Sequence, residues 1–279
     1  MSSRMSDKTS RRGFIKRTAV GAAALSLAGS EAAQAYYPYG PFKMGLQSYS
    51  LRAFDRPKML ALTHKLGMWY LEGFGTHFPM TQDEATLQQY RADLKAAKIK
   101  LQTLYVDFGG DAQARRQVFE FAQKLNVEVL VGDPAYEVLS ELDALVDEFG
   151  MYVAIHNHGP GARYDKIETV LKAMRGHNER IGACPDTGHF MRSDEDPLAA
   201  TKAFGSRIYG YHIKDLTKDK VFTEIGKGTL DVVGCLEALH QQGFNQCLAL
   251  EYEEHAEAPV PYIRECLAAT RAAVKQAGL

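Results

Sequence analysis

Between Phe42 and Gln276 short apolar runs alternate with segments of helical period, and the alternation repeats eight times. The runs are Phe42–Tyr49, Met68–Glu72, Lys100–Val106, Val127–Val131, Tyr152–His156, Arg180–Cys184, Ile208–His212 and Cys247–Glu251. Their length and apolar character are those of buried strands. Helical segments follow at Pro57–Leu66, Asp83–Lys98, Ala112–Leu125, Tyr136–Phe149, Asp165–Met174, Pro197–Phe204, Val232–Gln241 and Val260–Gln276. In Asp83–Lys98 the apolar positions Ala85, Leu87, Tyr90, Leu94 and Ala97 recur near the helical period. Gly150 stops the Tyr136–Phe149 helix at its C′ position. Eight β-then-α units in roughly 240 residues predict one α/β domain, a (β/α)8 TIM barrel. An open doubly wound sheet needs fewer strands and a glycine-rich first turn, and no G-x-G-x-x-G is present.

In such a barrel the chemistry sits where the strands end. Strand five ends in His156-Asn157-His158-Gly159, strand six in Asp186, strand seven in His212 and strand eight in Glu251. Four adjacent strands thus aim two imidazoles and two carboxylates at a common point. That donor set suits one divalent ion, with Mn2+, Zn2+ or Co2+ ahead of Mg2+, and suits all-oxygen-seeking Ca2+ poorly. A single His or Glu at a strand end is more often a local hydrogen-bonding group. Four in phase on successive strands are a metal-ligand set: His156, Asp186, His212 and Glu251. Asp186-Thr187-Gly188 is also an aspartic-protease triplet, but such a protease is all-β and this pattern is βα throughout. Gln47, Tyr49, Glu72, Tyr105 and Asp133 stand at other strand ends of the same mouth. Lys214, two residues past His212 and on the same strand face, is placed to neutralise an oxyanion. The long loop Asp215–Gly228 ends in Gly226-Lys227-Gly228-Thr229 at a helix start, where backbone amides can hold an anion.

Asp186-Thr187-Gly188-His189, Asp196-Pro197, Tyr211-His212-Ile213-Lys214-Asp215, Gly226-Lys227-Gly228 and Leu250-Glu251 resemble the sugar phosphate isomerase/epimerase family of the xylose isomerase-like TIM barrel superfamily. The resemblance implies one divalent metal, held by Glu, Asp, His and Glu on strands five to eight. Asp186, His212 and Glu251 match, whereas the fifth-strand Glu-x-His reads His156-Asn157-His158. Family epimerases use their two metal-bound carboxylates to take and return a proton beside a carbonyl. Here Glu251 is left as ligand and base, with the His156 imidazole as its partner and Lys214 as the third catalytic group. Glu72 matches the family's second-strand Glu and is expected on substrate hydroxyls with Gln47, Tyr49, His158 and His189. The resemblance therefore implies a metal-dependent isomerase or epimerase of a sugar or keto-sugar. A 3-keto-sugar hydratase or lyase with the same site and a sugar-binding barrel without turnover are the alternatives. Endonuclease IV shares the superfamily, but its extra ligands on strands two and three are missing here. A formal net charge of -1 also fits no nucleic-acid partner.

Ser10-Arg11-Arg12-Gly13-Phe14-Ile15-Lys16 resembles a twin-arginine export signal. A mild apolar run, Ala19 to Ala28, and the small-x-small site Ala33-Gln34-Ala35 complete it. Residues 1–35 are thus expected to be a signal peptide and residues 36–279 the barrel, periplasmic after passage through the twin-arginine translocase and with no stable membrane insertion. Sugar phosphates are cytosolic, so an exported enzyme is expected to take an unphosphorylated carbohydrate. Cys184, Cys235, Cys247 and Cys266 form no Cys-x-x-Cys pair and are expected to be buried free thiols. Trp69 and the Tyr36-Tyr37-Pro38-Tyr39 run read as packing residues, and the oligomeric state is left open.

Overall fold

The structure is a computed structural model and describes residues 38–279. The expected signal peptide, residues 1–35, lies outside the described residues, as do Tyr36 and Tyr37. Residues 41–279 form one compact unit.

The strands are β1 (Lys43–Gln47), β2 (Tyr70–Gly73), β3 (Lys100–Tyr105), β4 (Val129–Gly132), β5 (Tyr152–His156), β6 (Ile181–Cys184), β7 (Tyr211–Ile213), β8 (Asp215–Leu216), β9 (Phe222–Thr223) and β10 (Cys247–Leu250). Eight of them form a parallel sheet in the order β6-β5-β4-β3-β2-β1-β10-β7. Single bridges from Ala183 to Ile208 and from Asp186 to His212 close the seam between β6 and β7. The helices are α1 (Arg56–Lys65), α2 (Glu84–Ala97), α3 (Ala112–Lys124), α4 (Leu139–Phe149), α5 (Ile167–Met174), α6 (Thr187–Arg192), α7 (Pro197–Phe204), α8 (Val232–Gln241) and α9 (Val260–Gln276). The wall is the (β/α)8 barrel that the alternation predicts, and β8 and β9 make a separate antiparallel hairpin in the loop after β7.

Asp55, Asp83, Asp111, Asp196 and Asp231 each cap a helix, accepting a backbone N–H at the start of α1, α2, α3, α7 and α8. Each cap is worth about 1 kcal/mol. The seventh strand is shorter than expected, beginning at Tyr211 and not Ile208. At the seam the chain crosses close over Gly182, where a Cβ would lie 2.1 Å from the Arg207 carbonyl oxygen. Only a glycine admits that approach, and it is one strand of the barrel's closing pair.

Side chains alternate across each strand. On the inner face of β4, β5 and β6, Val129, Val131, Ala154 and Cys184 pack as one cluster with Tyr105, Tyr152 and Tyr209 against it. Two residues beyond Ala154 and Cys184 come His156 and Asp186, so the site stands on an apolar floor. All four cysteines are free and buried, as expected. Trp69, read as a packing residue, is 41% exposed. Among the described residues no helix is long and apolar enough to cross a membrane.

Candidate metal centre and active site

Asp186 sits between strand and helix, and that position divides its carboxylate. Oδ1 caps α6, accepting from the His189 N–H at 2.8 Å. The backbone of Asp186 is clamped by Asn157, which accepts from its N–H at 2.7 Å and donates to its carbonyl at 3.0 Å. The Thr187 hydroxyl accepts from the Lys214 N–H at 2.8 Å and donates to the Lys214 carbonyl at 2.6 Å. Asp186 Oδ2 is then fixed in place, fully buried and with no hydrogen-bond donor aligned on it. The sequence pattern predicted the Asp and the turn, but not the short helix α6 that the Asp caps.

Two more strand ends meet Oδ2, and a third joins them through His212. His156 Nε2 is 3.5 Å away and His212 Nδ1 3.6 Å. His212 Nδ1 is 3.0 Å from His156 Nε2 and 3.0 Å from Glu251 Oε2. One donor atom from each of His156, Asp186, His212 and Glu251 lies within 4.8 Å of the others. Donors held about 2.1 Å from a tetrahedral ion stand roughly 3.4 Å apart, so the set fits a divalent cation. Asp186 Oδ2, with no aligned hydrogen bond and the Lys214 ammonium at 3.1 Å, is the buried oxygen such an ion would bind. His156 Nδ1 is also buried without a partner.

Lys214 completes the cluster. Its Nζ is 2.8 Å from Glu251 Oε2 and 3.1 Å from Asp186 Oδ2, and it also bonds Glu253. Burial alone would strip its proton. The carboxylates of Asp186, Glu251 and Glu253 overcome that and raise its pKa above the usual lysine value. Burial likewise opposes ionisation of Asp186 and Glu251, but Lys214 and the imidazoles hold both below the usual carboxylate range. Burial, with the neighbouring His212, pushes His156 down to about 3, so its ring is neutral. A neutral imidazole is the form that binds a metal.

A cavity of about 360 Å³ opens over these groups, lined by Gln47, Tyr49, Phe74, Tyr105, His156, His158, His189, Lys214, Glu251 and Glu253. Tyr105 Oη is 3.0 Å from His158 Nε2, and His189 stacks edge-on against Phe222 of β9 at 5.7 Å. Glu253 and Phe74 are additions to the residues singled out from sequence. Glu253 lies two residues past Glu251, the spacing that drew attention to Lys214 after His212.

Two expected residues and one expected loop are engaged elsewhere. Glu72 is 1% exposed and does not line the cavity, because Gln47, Thr103 and His212 occupy its carboxylate. Asp133 does not line the cavity and is engaged by Arg163, whose Nη1 bonds the Asp133 carbonyl at 2.7 Å. The amides of Gly226 and Gly228 hold no external anion. Both donate to Asp215 Oδ2, at 2.9 and 3.0 Å. A Cβ on Gly228 would lie 2.2 Å from Asp215 Oδ1, so this turn too depends on glycine.

Residues 60–273 match the model of a protein family described as Xylose isomerase-like TIM barrel. Rhizopine catabolism protein MocC of Rhizobium meliloti is 30% identical over 42% of this chain and 41% of its own length. An inosose dehydratase of Lacticaseibacillus casei is 25% identical over 73% of this chain and 74% of its own. Among solved structures, a D-tagatose 3-epimerase-like protein superposes with a TM-score of 0.69 at 16% identity, covering 85% of this chain and 99% of that one. The last of these likenesses speaks for the fold alone. The relatives named for an activity are enzymes, and this chain is one as well. By its match over more than half its length, the chain belongs to the Xylose isomerase-like TIM barrel family.

Proposed function

We propose that the chain is a divalent-metal-dependent isomerase or epimerase that moves a proton beside the carbonyl of an unphosphorylated sugar or keto-sugar. One observation carries the reading: the donor atoms of His156, Asp186, His212 and Glu251 converge where a cavity of sugar size also presents Lys214, His158 and His189. Those four residues would hold the ion, and Mn2+, Zn2+ or Co2+ matches their mix of imidazole and carboxylate. When bound, such an ion polarises a substrate carbonyl. Glu251 is the base, since its carboxylate is kept ionised at the cavity wall by Lys214. His156 is too firmly neutral to donate a proton and serves as a ligand. Burial raises the Tyr105 phenol above its usual range, so it keeps its proton, and its oxygen lies 3.0 Å from His158 Nε2. With Tyr105 as the donor of that pair, His158 carries its hydrogen on Nδ1 and is the group that returns a proton. Lys214 offers a positive charge to an oxygen that becomes anionic. The aromatic wall of Tyr49, Phe74 and Tyr105 takes the C–H face of the sugar and keeps water out.

Two features support an unphosphorylated substrate. The loop amides that would suit a phosphate are taken by Asp215, and Lys214, the one Lys or Arg lining the cavity among the described residues, is already held by three carboxylates.

A second reading is dehydration of a cyclic keto-polyol. The inosose dehydratase likeness over 73% of the chain favours it, and so does the replacement of one metal-binding carboxylate by His156. Glu251 would take the proton and His158 would protonate the departing hydroxyl.

Proton exchange in D2O separates the two. With Mn2+-loaded protein and a panel of free ketoses, inososes and 3-keto-glycosides, exchange is expected at the carbon next to the carbonyl. Exchange with the hydroxyls retained indicates isomerisation or epimerisation, and loss of water indicates dehydration. No exchange with any member would end both readings. We further propose export through the twin-arginine translocase to the periplasm, on the strength of Arg11-Arg12 and Ala33-Gln34-Ala35. Cell fractionation of an Arg11→Lys/Arg12→Lys chain should show loss of the periplasmic pool, and normal export of that variant would refute the signal.

A further inference from the structure

We propose that Glu72 is a positioning residue: it fixes the ring and tautomer of His212 so that Nδ1 is offered to the metal, and it does not contact substrate. The inference rests on the metal-dependent reading above and adds a residue which that reading does not use.

Glu72 lies on the inner face of β2, at the level of the site but behind it. Its Oε1 is 2.6 Å from His212 Nε2. The same oxygen accepts from Gln47 Nε2 at 3.1 Å, and Oε2 accepts from Thr103 Oγ1 at 2.9 Å. Gln47 and Thr103 are the residues paired with Glu72 on the neighbouring strands β1 and β3. The carboxylate is therefore held from both flanks and directed at one target. The register between β2 and β3 slips between Leu71 and Glu72. Such irregularities re-aim side chains beside active sites, and this one brings Glu72 level with Thr103.

The consequence lies in which nitrogen carries hydrogen. A carboxylate at 2.6 Å accepts from Nε2–H, so an ion that takes the place of the hydrogen between Nδ1 and Glu251 meets the ring's lone pair on Nδ1. That is the atom 3.0 Å from Glu251 Oε2 and 3.0 Å from His156 Nε2. A hydrogen-bonded carboxylate behind a histidine ligand orients the ring and makes it a better donor, and its loss typically weakens metal binding about 10- to 100-fold. The competing assignment is a second ion. Glu72, Cys184 and His212 also place one potential ligand atom each within 4.8 Å of the others.

The test is Co2+ titration of chelator-treated protein, reading affinity, stoichiometry and the visible absorption of the bound ion. Wild type, Glu72→Gln and Thr103→Val are compared, with circular dichroism to confirm that each is folded. One Co2+ per wild-type chain is expected. Glu72→Gln should bind it roughly 10- to 100-fold more weakly and with an altered spectrum. Thr103→Val, nearly isosteric, should shift both in the same direction by less than about tenfold. It decides the matter if Glu72→Gln does not fold. Unchanged affinity and spectrum in the folded variants would overturn the proposal while leaving the metal reading intact. Two Co2+ per wild-type chain would overturn it in favour of Glu72 as a ligand. No Co2+ in the wild type would overturn the metal reading and this proposal together.

Discussion

Removing the charge of Lys214 while keeping its stem, as Lys214→Met, tests the electrostatics of the site most directly. Lys214 is 3% exposed, and its Nζ lies 2.8 Å from Glu251 Oε2 and 3.1 Å from Asp186 Oδ2. A unit-charge pair at about 4 Å is worth about 4 kcal/mol at an effective dielectric of about 20, so the gross attraction to the two carboxylates, about 8 kcal/mol, is comparable to the whole stability of many domains. Most of it offsets the cost of burying the charges. What mutation measures is the penalty of leaving carboxylates buried and unpaired, about 3–5 kcal/mol. For a domain of this size that is a fall in melting temperature on the order of 10 °C. The assay is thermal unfolding in excess chelator and again in excess Mn2+. In chelator the full fall is expected. With Mn2+ the fall should shrink, because Asp186 and Glu251 regain a cationic partner. A fall under about 2 °C in chelator would show that the carboxylates are solvated or protonated, and the description of the site as a buried charge cluster would be wrong.

Two further substitutions probe the frame around the site. Asp215 is 1% exposed and accepts from the N–H groups of Leu216, Gly226, Gly228 and Leu230. At about 1–3 kcal/mol for a stranded buried donor, Asp215→Ala should cost at least 3 kcal/mol or so in thermal unfolding; a cost under about 1 kcal/mol would mean that water replaces the carboxylate. His77 is buried, and its pKa is lowered below 6.5 by burial against the opposing Phe54 carbonyl. The folded chain thus takes up this proton less readily than the unfolded chain, so the stability linked to His77 is complete above pH 6.5 and declines as the pH falls below it. His77→Gln should flatten the dependence of melting temperature on pH in that acid range, and an unchanged slope would assign the acid sensitivity elsewhere.

The site was legible in the sequence as far as strand period could carry it. His156, Asp186, His212, Lys214 and Glu251 stand at strand ends on inward faces, and the structure brings all five together. Period says which face a residue takes, but not which neighbour it meets. Glu72 illustrates this: its inward face was evident, but its partner depends on the β2–β3 register and the slip at Leu71. Gly226-Lys227-Gly228 looked like a cradle for an external anion because its anion, Asp215, is eleven residues earlier and joined to it only by the hairpin. Asn157 and Thr187 gave no signal, since clamping a backbone leaves no spacing pattern. The apolar run at strand seven outlasts the strand, because it continues through a seam held by isolated bridges.

His156 is where this chain leaves the pattern its motifs resemble, and His156→Glu asks what the departure does. His156 Nε2 stands 3.0 Å from His212 Nδ1 and 3.5 Å from Asp186 Oδ2. A Glu at this position reaches a similar point and can also bind Mn2+ or Zn2+, so the ligand set should survive. In chelator the variant places another carboxylate beside Asp186 and Glu251, with Lys214 still the lysine that faces them. The metal-free variant should therefore be less stable than wild type, and Mn2+ should raise its melting temperature by more. The chemistry should change in the opposite sense. An added carboxylate lowers the charge that the ion presents to a carbonyl. Proton exchange in D2O, followed against pH, should shift in both rate and profile. If Mn2+ stabilises the variant no more than wild type and the exchange profile is unmoved, His156 is outside the ligand set. The metal would then be held by Asp186, His212 and Glu251 with a ligand from elsewhere.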